Sequence, residues 1–135
     1  MSPEIYLDSN ATSPVLPAAI LAAADAMGTC YGNPSSTHIT GLRARALLDT
    51  VRERARRVLG AGTGRVIFNS GATEGIQTAV LSALCAVRER QAAGDSGADL
   101  LLYGHTEHKA VPEALAHWNR VLGTGLTVLF FWSGV

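Results

Sequence analysis

Lysine is almost absent from this chain: of 11 basic residues ten are arginine, and Lys109 stands alone. That skew speaks of genome base composition more than of chemistry. Charge is scarce as well, at 16% of residues, and the 11 basic residues balance 11 acidic ones. Nothing in that balance steers the chain broadly toward nucleic acid or an anionic membrane. The two cysteines, Cys30 and Cys85, have neither metal-site spacing nor the density of a secreted disulfide scaffold. Each reads as a small, reduced, partly buried residue. No apolar run approaches membrane-spanning length, and Met1-Ser2-Pro3-Glu4 lacks the basic region and apolar core of a signal peptide. A cytoplasmic location is the default expectation. Repeats and low-complexity linkers are missing too. What remains is a globular composition, 47% apolar over 135 residues, enough for one ordinary domain with a core.

The first forty residues are punctuated by Pro14, Pro17, Gly28, Gly32, Asn33 and Pro34. Between them Pro17 to Met27 reads as a short helix, with Pro17 at a first helical position and Gly28 ending it. A clearer helix spans Leu42 to Leu59, where Leu47, Leu48, Val51, Ala55 and Val58 form one stripe. From Arg65 the pattern becomes strand, helix, strand, helix, strand. The strands are Arg65 to Asn69, Asp99 to Tyr103 and Leu126 to Phe131. Ile76, Ala79, Val80, Ala83, Leu84 and Val87 mark the first intervening helix, and Val111, Leu115, Trp118, Val121 and Leu122 the second. Continuous apolar strands alternating with amphipathic helices predict an α/β fold, with a mainly parallel sheet covered by helices on both faces. The organisation expected is a turn-rich segment over 1–41 and a partial α/β domain over 42–135, truncated after its third strand.

Two stretches carry the chemistry. Ser70-Gly71-Ala72-Thr73-Glu74 lies between an apolar run and a helix. A small-residue turn there aims free backbone N–H groups and a threonine hydroxyl at one point, which suits a phosphate. Thr106-Glu107-His108-Lys109-Ala110-Val111 places an imidazole at the end of the next run, again before a helix. In an open parallel sheet both turns sit at the carboxyl edge, where ligands bind. A phosphate cradle beside a ring-sized side chain suggests a phosphorylated cofactor.

With those residues assembled, the chain resembles the amino-terminal part of the NifS-like cysteine desulfurases, within the class V aminotransferases. Four segments carry the resemblance, in order and at the right spacing, over residues 5 to about 122. They are Tyr6-Leu7-Asp8 with Ala11-Thr12 and Pro14; Tyr31-Gly32-Asn33-Pro34-Ser35-Ser36 with His38 and Gly41; and the two stretches above. The resemblance implies a fold-type-I pyridoxal 5'-phosphate enzyme, normally a homodimer. It implies conversion of L-cysteine to L-alanine with sulfur passed to an enzyme cysteine, and onward to an acceptor protein, as in iron–sulfur cluster assembly. It places Ala72 and Thr73 at the cofactor phosphate, and His108 over the pyridine ring as a catalytic proton carrier. An imidazole can both lie flat on a ring and exchange a proton near neutral pH.

The chain departs from that family in places. It has Gly75-Ile76-Gln77 where small and asparagine-like residues are usual, and 8–12 differs slightly from the commoner pattern. Subfamily and substrate therefore stay open. Another class V enzyme, a selenocysteine lyase or an aminotransferase, is the alternative, as is a non-catalytic truncated binding partner. The family's cofactor-bearing lysine, the acidic partner of its pyridine nitrogen and its persulfide cysteine have no counterpart here, so the chain alone is expected to be inactive. The aromatic tail from Leu126 to Val135 reads as a frameshift or early stop in a longer gene. Lys109 matches the lysine that follows the stacking histidine, not the one that bears the cofactor. His105, Glu107 and His108 lack the further ligands of a metal site, so none is expected. Asn33 and His38 read as turn formers, and Arg52 to Arg57 as a solvated helix face interrupted by acids.

Overall fold

A computed structural model describes residues 5–9, 11–95 and 97–132. Met1–Glu4, Asn10 and the 133–135 end of the aromatic tail lie outside them. The order of elements is α1 (Pro17–Thr29), α2 (Ile39–Val58), α3 (Ala72–Ala92), β1 (Leu100–Gly104), α4 (Ala110–Leu122) and β2 (Thr127–Phe131). The chain divides into two compact units, Met1–Ile67 and Phe68–Val135.

In the first unit, Pro17 occupies the opening turn of α1, as its fixed φ allows, and no residue of this helix is buried. α2 begins three residues before Leu42 because His38 caps it: the Gly41 N–H donates to His38 Nδ1 at 3.4 Å. Asn33 makes a local turn, its Oδ1 accepting from the Ser35 N–H at 2.9 Å. Both residues thus serve the backbone next to them. Gly41 is needed at its position, since a Cβ there would lie 2.6 Å from the Asn33 carbonyl oxygen and 2.7 Å from Ser36 Cβ. Along α2 the arginines pair with acids one turn away: Arg52 with Asp49 at 3.3 Å, Arg56 and Arg57 with Glu53 at 2.8 and 3.2 Å. This is a solvated face of short-range pairs, each worth little to stability.

The second unit holds the sheet. β1 and β2 run parallel, in register from Leu100 opposite Thr127 to Gly104 opposite Phe131, with α4 as the crossover between them. Asn119, near the end of α4, sets the return. Its Oδ1 accepts from the Leu126 N–H at 3.0 Å and the Thr124 hydroxyl at 2.5 Å, and its Nδ2 donates to the Leu126 carbonyl at 2.7 Å. Thr124 and Leu126 are both buried, so these groups have no recourse to water.

Two expectations need correction. Arg65 to Asn69 forms no strand, so the sheet has two strands among the described residues rather than three. A strand exists only through a ladder partner, and no described segment supplies one. The sheet is not covered on both faces: Leu101, Tyr103 and Val128 are half-buried, whereas Leu100, Leu102, Leu129 and Phe131 are exposed. The core is correspondingly small, with Ala44, Leu84, Ala110, Ala114 and Leu126 its buried apolar residues among those described.

Two outcomes follow from this packing. Asn119→Ala removes three hydrogen bonds, leaves the buried Leu126 N–H and carbonyl without their side-chain partner, and should destabilise the chain by roughly 2–4 kcal/mol, read as a shift in urea midpoint. The open strand edges and the exposed Leu100, Leu102, Leu129, Phe130 and Phe131 should drive self-association. Sedimentation velocity should show species heavier than one chain, whereas a single cooperatively unfolding monomer would contradict that.

Candidate functional site

The turn before α3 is held by its own side chains. Asn69 Oδ1 accepts from the Gly71 N–H at 3.1 Å. Glu74 Oε2 accepts twice from Ser70, from the N–H at 2.7 Å and from the hydroxyl at 2.5 Å. These bonds, led by the one from the Ser70 hydroxyl, hold the Glu74 carboxyl below its ordinary pKa. An ionised carboxylate in the first turn also suits the positive end of the helix dipole. The first helical bond is Gly75 N–H to the Gly71 carbonyl, at 3.1 Å. That leaves the N–H groups of Ala72, Thr73 and Glu74 without acceptors among the described residues, and the exposed Thr73 hydroxyl is likewise unengaged. Ser70 is different: its hydroxyl is committed to Glu74.

His108 lies between β1 and α4 and is exposed. Its Nδ1 accepts from the Ala110 N–H at 3.2 Å, so in the neutral ring the proton sits on Nε2. Lys109 follows in helical conformation, with φ −49° and ψ −27°, at the N-cap of α4, and makes no side-chain hydrogen bond or ion pair among the described residues. His105 has a different environment. Its ring packs at 4.9 Å from both Phe130 and Trp132, a contact that the motif spacing did not announce.

Two bonds set the sense of α3 against α4. Trp118 Nε1 donates to Gln77 Oε1 at 2.6 Å, and Gln91 Nε2 donates to the Thr124 carbonyl at 2.9 Å. Both helices advance in the same direction between these points, which puts their amino ends, with Ala72 and Thr73 on one and His108 before the other, at the same end of the pair. Three free N–H donors and a hydroxyl form a donor set that fits a phosphate dianion.

The profile of the class-V aminotransferases matches residues 5–131. The chain belongs to that family. Its members are pyridoxal-phosphate-dependent, and membership implies the fold-type-I architecture, of which this chain shows a mixed α/β part. A selenocysteine lyase of Bos taurus is 37% identical over 97 residues, 71% of this chain and 22% of the relative. A cysteine desulfurase of Enterobacter agglomerans is 42% identical over 88 residues, 64% of this chain and 22% of the relative. Cysteine desulfurase 1 of Trichormus variabilis is 39% identical over 87 residues, again 64% and 22%. The chain therefore spans about a fifth of the length of these relatives. No described helix is long and apolar enough to cross a membrane.

The Ser70–Glu74 clamp gives a pH signature. With its folded pKa lowered, Glu74 contributes stability that is fully present above its ordinary value of 4.5 and is lost as pH falls through the folded value. Thermal midpoints measured from pH 6 down to about pH 3 should therefore fall more steeply in the wild type than in Glu74→Gln. Parallel curves would show that the clamp does not form.

Proposed function

We propose that this chain carries the phosphate- and ring-facing part of a pyridoxal-phosphate enzyme that takes sulfur from L-cysteine, leaving L-alanine and passing the sulfur to an enzyme cysteine. The observation that carries this reading is the open first turn of α3, with Thr73 in it, lying within the family match over residues 5–131. In this reading the Ala72 and Thr73 N–H groups and the Thr73 hydroxyl hold the phosphate, assisted by the helix dipole. Asn69 and the Ser70–Glu74 clamp keep that turn in place. His108 is the residue that would lie against the cofactor ring, and its Nε2 holds the proton it exchanges with substrate, because Nδ1 is tied to Ala110. When bound, pyridoxal phosphate supplies the electron sink for chemistry at the substrate α-carbon.

Lys109 stays outside this machinery. It sits one residue past His108, and the reading assigns it no covalent role. With no cofactor-bearing lysine and no sulfur-accepting cysteine assigned among its residues, a polypeptide of these 135 residues is inactive on its own in this account. The partners it brings are a second copy, as in a homodimer, and a protein acceptor for sulfur.

A second reading has its own support. Relatives named selenocysteine lyase match at 37% identity beside desulfurases at 42%. Selenocysteine then replaces cysteine as substrate, with the same residues at the phosphate and ring.

Binding tests the shared part of both readings. Pyridoxal phosphate titrated into the 135-residue chain should bind saturably, and Thr73→Val should weaken it about three- to tenfold. Borohydride reduction followed by mass spectrometry should leave Lys109 unmodified, and incubation with L-cysteine should release no sulfide. Turnover that Lys109→Ala abolishes would overturn the assignment of that residue.

A further inference from the structure

The two strand ends close a small cavity of about 180 Å3, lined by Gly104, His105, Thr106, Glu107, Phe131 and Trp132. It is built by bonds as well as by proximity. The His105 N–H donates to the Phe131 carbonyl at 3.0 Å, carrying the β1–β2 ladder one step past β1, and the Glu107 N–H closes a turn on the Gly104 carbonyl at 3.0 Å. That turn brings Glu107 back over the end of its own strand.

Gly104 is one wall of the cavity. A Cβ placed there would lie 3.7 Å from Glu107 Oε1 and 3.8 Å from Phe131 Cζ, so a carboxylate oxygen and an aromatic edge converge on one point. The His105 ring lies 4.9 Å from the rings of both Phe130 and Trp132, tilted against each, and so gives Trp132 a packing partner. The lining holds one carboxylate and neither arginine nor lysine. Glu107 makes no side-chain hydrogen bond or ion pair among the described residues, and the pairs along α2 show what an engaged carboxylate looks like in this chain.

An exposed tryptophan ring beside a carboxylate with no partner among the described residues makes a site for a cation, and tryptophan offers the strongest ring for that purpose. The shape selects which cation. Metal binding needs several hard or nitrogen donors, and among the described residues no cluster of three or more His, Cys, Asp or Glu side chains supplies them. An organic ammonium gains from the rings without needing such ligands. The cavity is also well below the ~300–1,000 Å3 of sites for drug-sized molecules, which restricts the ligand to a head group. We infer that the cavity at the β1 and β2 carboxyl ends is a binding site for a small alkylammonium group, held against Trp132 with its charge facing Glu107. It stands independently of the cofactor reading, because none of its lining residues is assigned to the phosphate or to the ring.

Ligand-observed NMR on the full chain tests this, with choline chloride as the probe and 3,3-dimethyl-1-butanol as its uncharged isostere. The choline methyl resonance should broaden saturably at millimolar concentration, and the isostere should compete poorly. Glu107→Gln should weaken choline binding about fivefold, and Trp132→Ala should do the same or more. Both side chains are exposed, so neither change threatens folding, and circular dichroism of each variant checks that directly. Equal competition by the isostere would reduce the site to an apolar dimple. Choline broadening unchanged in both variants, or absent from the wild type, would overturn the assignment.

Discussion

Leu84 on α3 and Ala114 on α4 are 1% and 0% exposed, the most completely buried apolar side chains among those described. They belong to the two helices whose packing organises the second unit, and that packing brings both amino ends to one end of the pair. A small residue such as Ala114 lets helix backbones approach closely, and Leu84 supplies apolar area. Ala72 and Thr73 open one of these helices, and His108 precedes the other. The α3 turn brings three N–H groups and a hydroxyl, and the turn before α4 adds an imidazole. Brought to one end, they offer free N–H groups, a hydroxyl and an imidazole of defined tautomer.

The second constraint is polar. Asn119 fastens the end of α4 to the start of β2 through three hydrogen bonds, and Gln91 reaches the same loop from α3. In a unit with so few buried apolar residues, such bonds carry an unusual share of the geometry. A loss of one partner would leave buried groups unsatisfied, which costs more than the bond itself contributes. The carboxyl ends of both strands, with the aromatic cavity between them, inherit their alignment from that corner.

Helices were the most legible part of the sequence. Apolar residues recurring every three to four positions located α2, α3 and α4, and Pro17 located the start of α1, because periodicity and end signals are local properties. The three-residue extension of α2 toward Ile39, Thr40 and Gly41 was harder to read, since it depends on His38 acting as a cap, a role more usual for Ser, Thr, Asp or Asn. Arg65 to Asn69 has the composition of a strand yet forms none. Pairing is a property of two segments, and composition reports only one. For the same reason the alternating pattern promised a sheet covered on both faces, while Leu102 and Leu129 remain exposed. The turn at Ser70–Glu74 was legible as a helix start, but the division of labour inside it was not: Ser70 serves Glu74, and Thr73 stays free. His105 was given no role by the sequence and packs, tilted, against the Phe130 and Trp132 rings, a contact made across the sheet.

The central claim is that the first turn of α3 is a phosphate site shared with His108. Amide and imidazole resonances followed by heteronuclear NMR during a titration with pyridoxal phosphate test it most directly. The account predicts that the amides of Ala72, Thr73 and Glu74 and the ring of His108 shift together along one saturation curve. Shifts confined to other residues, or a His108 ring that stays still while the three amides move, would contradict it.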